Sequence, residues 1–135
     1  MSSINMTQKT DTFTLIQKTQ TPIPRLPFRD IKEKILGEKF AVSVVFIEKN
    51  ESQKLNRLYR NKNKPANVLT FPLDKNTGDI LIQYEEVKKS ASLFDYSHRK
   101  MLALIFIHAL LHLKGGQHGS TMRLREERLL KKFYK

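Results

Sequence analysis

Hydrophobic positions along the chain fall into short stretches with a strand-like beat and longer ones with a helical beat. FTLIQ (13–17) reads as a strand, and FAVSVVFIE (40–48), rich in β-branched and aromatic residues, as a buried one. NVLTFPLD (67–74) is a third strand, closed by Pro72, and after the polar turn DKNTG a fourth follows in GDILIQ (78–83). The helical beat appears in FRDIKEKILGEKF, where Phe28, Ile31, Ile35 and Leu36 have amphipathic spacing and Gly37 stops the run. It returns in ESQKLNRLYRNK, where Leu55, Leu58 and Tyr59 share a face, and again over roughly 84–93, 97–114 and 120–134. TQTPIPRLP, with three prolines, is an irregular connector, and residues 1–12 are expected to be poorly ordered. There is no internal repeat. Strands early and helices late within 135 residues predict a single α+β domain spanning 1–135.

One helical segment carries an anomaly. MLALIFIHALLHL (101–113) is patterned for burial yet includes His108 and His112, and His118 follows after KGG. Residues four apart on a helix lie only about 40° apart around its axis, so the two imidazoles project from one face. Gly115 and Gly116 let the chain leave the helix, which brings His118 close enough in sequence to swing back as a third donor. Three neutral nitrogen donors leave a zinc ion its full double charge and one open coordination position, the arrangement of a catalytic rather than a structural site. Three imidazoles suit zinc, copper or nickel better than magnesium. The zinc-peptidase motif H-E-x-x-H has its base directly after the first histidine; here that position is Ala109. His98 sits outside the pattern and reads as a surface or capping residue.

Composition narrows the picture. With no cysteine, a disulfide framework is excluded and any transition-metal site must use histidine or carboxylate. Twenty-five Lys and Arg against 13 acids give a net charge of +12, which points to polyanion partners, chiefly nucleic acid. The polar start MSSINMTQKTDTF is not a secretory signal, and 101–113 is shorter than the ~20 residues of a bilayer span. A cytoplasmic protein with no membrane partner is the expectation.

HALLHLKGGQH (108–118) resembles the signature H-G-x-L-H-L-x-G-Y-D-H of the YbeY family of bacterial endoribonucleases. LNRLYRNKNKPANVLTFPLD (55–74) is similar to that family's L-N-x-x-Y-R…T-[DN]-V-L-S-F-P segment, and GDILI (78–82) to its G-D-I-x-I strand. The matches come in the family's order and span Leu55 to Met122. The resemblance implies a zinc-dependent endoribonuclease preferring single-stranded RNA, acting in ribosomal RNA maturation and ribosome quality control. Ribosomal RNA and the ribosome or its assembly factors would be its partners. It implies one zinc per chain on His108, His112 and His118, an active-cleft role for Arg60, and a zincin-like α+β fold with a small mixed sheet beside the metal helix.

Phosphodiester cleavage builds up negative charge, so cations aimed at the phosphate are the main aid a protein offers. Arg60 could pair with phosphate oxygens in a bidentate manner. Asn67 and Thr70 are candidate hydrogen-bond partners for RNA at a strand edge. Lys62, Lys64 and Lys75 flank them as electrostatic guides, and Val68, Leu69 and Phe71 read as core. On the last helix Met122, Leu129, Leu130 and Phe133 form the apolar face, with Arg123, Arg125, Arg128, Lys131 and Lys132 largely elsewhere; a plain surface helix is the default reading and a ribosomal RNA contact the alternative. The chain departs from the family pattern at Ala109 (glycine), Ala66 (threonine), Thr70 (serine) and Gly116-Gln117 (Tyr-Asp). The last change removes an acid that could orient a histidine or assist proton transfer. The rival readings are a metal hydrolase of another substrate class, including a peptidase whose base comes from elsewhere, and a non-catalytic RNA- or ribosome-binding module stabilised by zinc.

Overall fold

The computed structural model describes residues 3–4, 8–115 and 119–134. In chain order the elements are β1 (Ser3–Ile4), β2 (Gln8–Lys9), β3 (Phe13–Gln17), β4 (Ile23–Pro24), α1 (Phe28–Leu36), β5 (Ala41–Phe46), α2 (Lys49–Arg60), β6 (Val68–Asp74), β7 (Thr77–Ile82), α3 (Tyr84–Phe94), α4 (His98–Leu113) and α5 (Ser120–Phe133). Five strands form one mixed sheet in the order β2-β3-β5-β7-β6, while β1 and β4 make a separate antiparallel pair. Strands β3, β5 and β7 run parallel; β2 and β6 close the two edges antiparallel to their neighbours. This is the expected α+β fold. Where residues 1–12 are described, β1 pairs with β4 and β2 with β3.

The sheet buries one face. Along β5, Val42, Val44 and Phe46 are buried and Ala41, Ser43 and Val45 only half so; β7 repeats the pattern with Gly78, Ile80 and Ile82. A strand points successive side chains to opposite sides, so this alternation sets one covered and one partly open face. FAVSVVFIE is therefore buried on one side only, not throughout.

The covered face meets α4, which also packs against α1, α3, α5 and β6. Surrounded in this way, α4 is apolar almost all round: ten of its residues between Met101 and Leu113 are buried. Phe106 meets Phe28 of α1 edge to face at 5.1 Å, and Phe28 meets Phe46 of β5 at 6.1 Å, locking helix, helix and sheet together. Ser97 caps the helix by accepting from the Lys100 amide, and His98, its first residue, is exposed, as expected of a surface residue. At the other end a Cβ on Gly78 would lie 2.5 Å from Leu113 Cδ2, so β7 and the end of α4 meet at a distance glycine permits.

Helix α2 corrects the sequence reading. Leu58 and Tyr59 are 67% and 63% exposed, and the buried residues are Ser52 and Asn56. Ser52 Oγ donates to the Ala66 carbonyl at 2.8 Å and accepts from the Ala66 amide at 2.9 Å. Asn56 Nδ2 donates to the Lys64 carbonyl at 2.8 Å. The inward face of α2 is polar because it satisfies the backbone of the loop that follows, a duty that hydrophobic spacing does not register. Asn61, with φ 56°, ends the helix in the left-handed region that asparagine tolerates.

Candidate active site

A cleft of about 640 Å³ opens between the end of α2, strand β6 and α4. Tyr59 and Arg60 line one side, residues 67–71 another, and Ile105, His108 and His112 of α4 complete it. The loop clamped by Ser52 and Asn56 joins the first two walls, so the buried polar face of α2 fixes their separation.

The two histidines meet as their spacing predicts. Their Nε2 atoms are 3.1 Å apart and their ring centroids 4.6 Å apart. Behind His108, Nδ1 is hydrogen-bonded to Oε2 of Glu126 on α5. A carboxylate only accepts, so the contact assigns the proton to Nδ1 and leaves the lone pair on Nε2, turned towards His112. Glu126 is only 8% exposed. On the far side of His108, Arg123, Glu126, Met122 and Gly119 line a second cavity of about 330 Å³.

Sequence reasoning missed Glu126. In RLREERLLKK it looks like one more charge on a solvated helix, yet it stands four residues from Met122 and four from Leu130, both buried. An acid inside an apolar stripe is the signal that could have found it. It supplies from α5 the orienting carboxylate whose absence before His118 the sequence makes conspicuous.

The donor set fits a metal as far as it is described. Two ligands each 2.0–2.1 Å from a shared tetrahedral ion sit about 3.3 Å apart, close to the separation of His108 and His112. A second-sphere carboxylate on the other ring nitrogen is the usual companion of a metal-ligating histidine. Among the described residues no three His, Asp or Glu side chains converge as a metal-binding group, and His118 lies outside those residues.

The other candidates separate by position. Arg60, the last residue of α2, is exposed and lines the cleft. Thr70 and Asn67 line it as well, and Asn67 Nδ2 donates to Ser90 Oγ of α3 at 3.0 Å. Lys62 and Lys64 are exposed on the loop outside the lining, and Lys75 is exposed in the turn between β6 and β7. Leu69 is core and Val68 half-buried, but Phe71, read as core, lines the cleft. It meets Tyr59 edge-on at 5.2 Å. No carboxylate stands among the described lining residues.

Comparison with known proteins identifies relatives of this chain. The family model described as Endoribonuclease YbeY matches residues 4–134. The Endoribonuclease YbeY of Pelagibacter ubique is 34% identical, covering 82% of this chain and 80% of its own length. That of Aliarcobacter butzleri is 37% identical, with 68% and 72% covered. The solution structure of TM1509 from Thermotoga maritima superposes with a TM-score of 0.65 over 90% of this chain and 89% of its own, at 22% identity, and so shares the fold. Among the described residues no helix is long and apolar enough to cross a membrane. The chain belongs to the Endoribonuclease YbeY family, hydrolases that cut RNA at its phosphodiester bonds.

Proposed function

We propose that the protein is a zinc-dependent endoribonuclease that cuts single-stranded RNA in the cytoplasm, in ribosomal RNA maturation and ribosome quality control, alongside the ribosome or its assembly factors. The observation that carries this reading is the pairing of His108 and His112 Nε2 at 3.1 Å in a cleft that also holds Arg60. His108, His112 and His118 would hold one zinc, which when bound supplies Lewis acidity and a water acidified towards neutrality.

The remaining roles fall to side chains. Glu126 holds the His108 ring in one orientation and one tautomer. Arg60 offers a two-pronged set of N–H donors to phosphate oxygens and neutralises charge as the phosphorane-like state forms. Tyr59 and Phe71 offer rings for an unstacked base, which favours a single strand over a duplex. Thr70 contributes a hydroxyl, and Asn67, its Nδ2 committed to Ser90, contributes its carbonyl oxygen. Lys62 and Lys64 draw the strand in electrostatically. The described lining residues carry no carboxylate, which suits a polyanion.

Elemental analysis of purified protein should find close to one zinc per chain, and His112→Ala should lose both the metal and the cleavage of a single-stranded oligoribonucleotide. Arg60→Ala should keep the zinc and lose about 10²-fold in rate. Undiminished cleavage by thoroughly metal-free protein would overturn the proposal.

A further inference from the structure

Away from the histidines, α1, the end of α4 and α5 meet around a third, strongly basic hollow. It encloses about 250 Å³ and is lined by Lys34, Ile35, Lys114, Arg125, Arg128 and Leu129. Lys114 follows His112 by two residues, about 200° around the helix axis, so it leaves α4 on the side opposite the cleft. Lys132 adds a fifth cation: the neighbouring Lys34 amine holds its pKa below the usual lysine range.

Among the described residues these cations form no ion pair within 4 Å. The ion pairs recorded there tie Lys18 to Glu51, Lys49 and Lys89 to Glu86, and Lys88 to Glu85, all away from the hollow, and the fifth contact commits Glu126 to His108. Five cations gathered from three elements repel one another, so the arrangement does not stabilise the fold. Arg125 and Arg128, three apart, share a face of α5 and present two guanidinium forks suited to phosphate oxygens. Among the described residues no aromatic side chain lines the hollow, whereas Tyr59 and Phe71 line the cleft. A surface with cations and no stacking platform reads backbone, as duplex-binding surfaces do; a single strand would call for rings.

We propose that the hollow between α1, the end of α4 and α5 is a docking site for the phosphate backbone of a base-paired RNA segment, outside the cleavage cleft. It deepens the endoribonuclease reading, on which it rests: the folded part of a substrate is gripped here while its single-stranded part is cut on the other side of α4.

The test uses the full zinc-loaded chain and two probes, a hairpin RNA with a single-stranded tail and the bare tail alone. The variant Lys34→Gln/Lys114→Gln/Arg125→Gln/Arg128→Gln should bind the hairpin about tenfold more weakly or worse. Its plot of log affinity against log salt should be shallower by up to about 3.6, since each of the four lost duplex phosphate contacts removes about 0.9. Cleavage of the bare tail should stay at the wild-type rate. The milder Lys34→Gln/Arg128→Gln should show about half the change in slope, which keeps the proposal testable should the fourfold variant fail to fold. Unchanged hairpin affinity and slope, or equal losses on both probes, would overturn it. So would a polyglutamate peptide that binds as tightly as the hairpin and is lost with the same substitutions, which would identify an acidic protein partner instead. Failure of the wild type to cut the bare tail would sink the cleft reading separately, because hairpin binding reports on the hollow alone.

Discussion

Replacing Glu126 separates stability from function more sharply than any other change at this site. Its Oε2 accepts from His108 Nδ1–H, and the residue is only 8% exposed, so Glu126→Ala removes a charge-assisted hydrogen bond of a kind that contributes about 1.5–3 kcal/mol net. The His108 side chain, 28% exposed, can be reached by water in its place, which puts the loss at the low end of that range. The destabilisation should be about 1.5 kcal/mol, a fall in Tm of about 5 °C for a chain of this length. Zinc affinity, on the proposed reading, should fall further. A ring freed to turn and to change tautomer is a poorer ligand, and loss of such an outer carboxylate weakens binding or activity by about 10- to 100-fold. Glu126→Gln keeps an oxygen acceptor without the charge and should recover part of the affinity. Competition for zinc against a chromophoric chelator, with thermal melting of the metal-stripped proteins, reads the two quantities independently. If folded Glu126→Ala held zinc within twofold of wild type and cut RNA at the wild-type rate, Glu126 would be a packing residue and the reasoning wrong.

Two further perturbations probe the frame around the site. Gly78→Ala drives a methyl group to 2.5 Å from Leu113 Cδ2 and should destabilise by about 1–3 kcal/mol; in a double-mutant cycle Leu113→Ala should cancel part of that loss, and strict additivity in denaturant titrations would contradict the contact. Burial pushes the Asp79 carboxyl above its ordinary range, so between the unfolded and folded pKa values the folded chain binds more protons and stability falls as pH rises. Asp79→Asn should therefore gain in Tm over wild type as pH is raised above about 4, the ordinary carboxylate value; a gain that shrank instead would refute the assignment.

Those elements whose neighbours are mostly apolar were readable from sequence. Helix α4 announces itself because it is covered on all sides, and the same burial makes His108 and His112 conspicuous; their four-residue spacing then dictates that they meet. Strand β3 has the bounds FTLIQ suggested. Hydrophobic spacing fails where the inward neighbour is backbone. Leu58 and Tyr59 lie outward on α2 because Ser52 and Asn56 are needed inward, to hold residues 64 and 66. Phe71 looks like core because its strand is apolar, but β6 is an edge strand and Phe71 opens onto the cleft. The partnership of Glu126 with His108, 18 residues apart, depends on how α5 docks, which no local pattern encodes.

The order of manufacture gives that partnership a consequence. Helix α5 emerges from the ribosome after every other part of the site, so a growing chain can assemble its sheet and both imidazoles before the carboxylate that steadies them exists as part of a docked helix. The contact between His108 and Glu126 therefore cannot form until α5 has left the ribosome and docked.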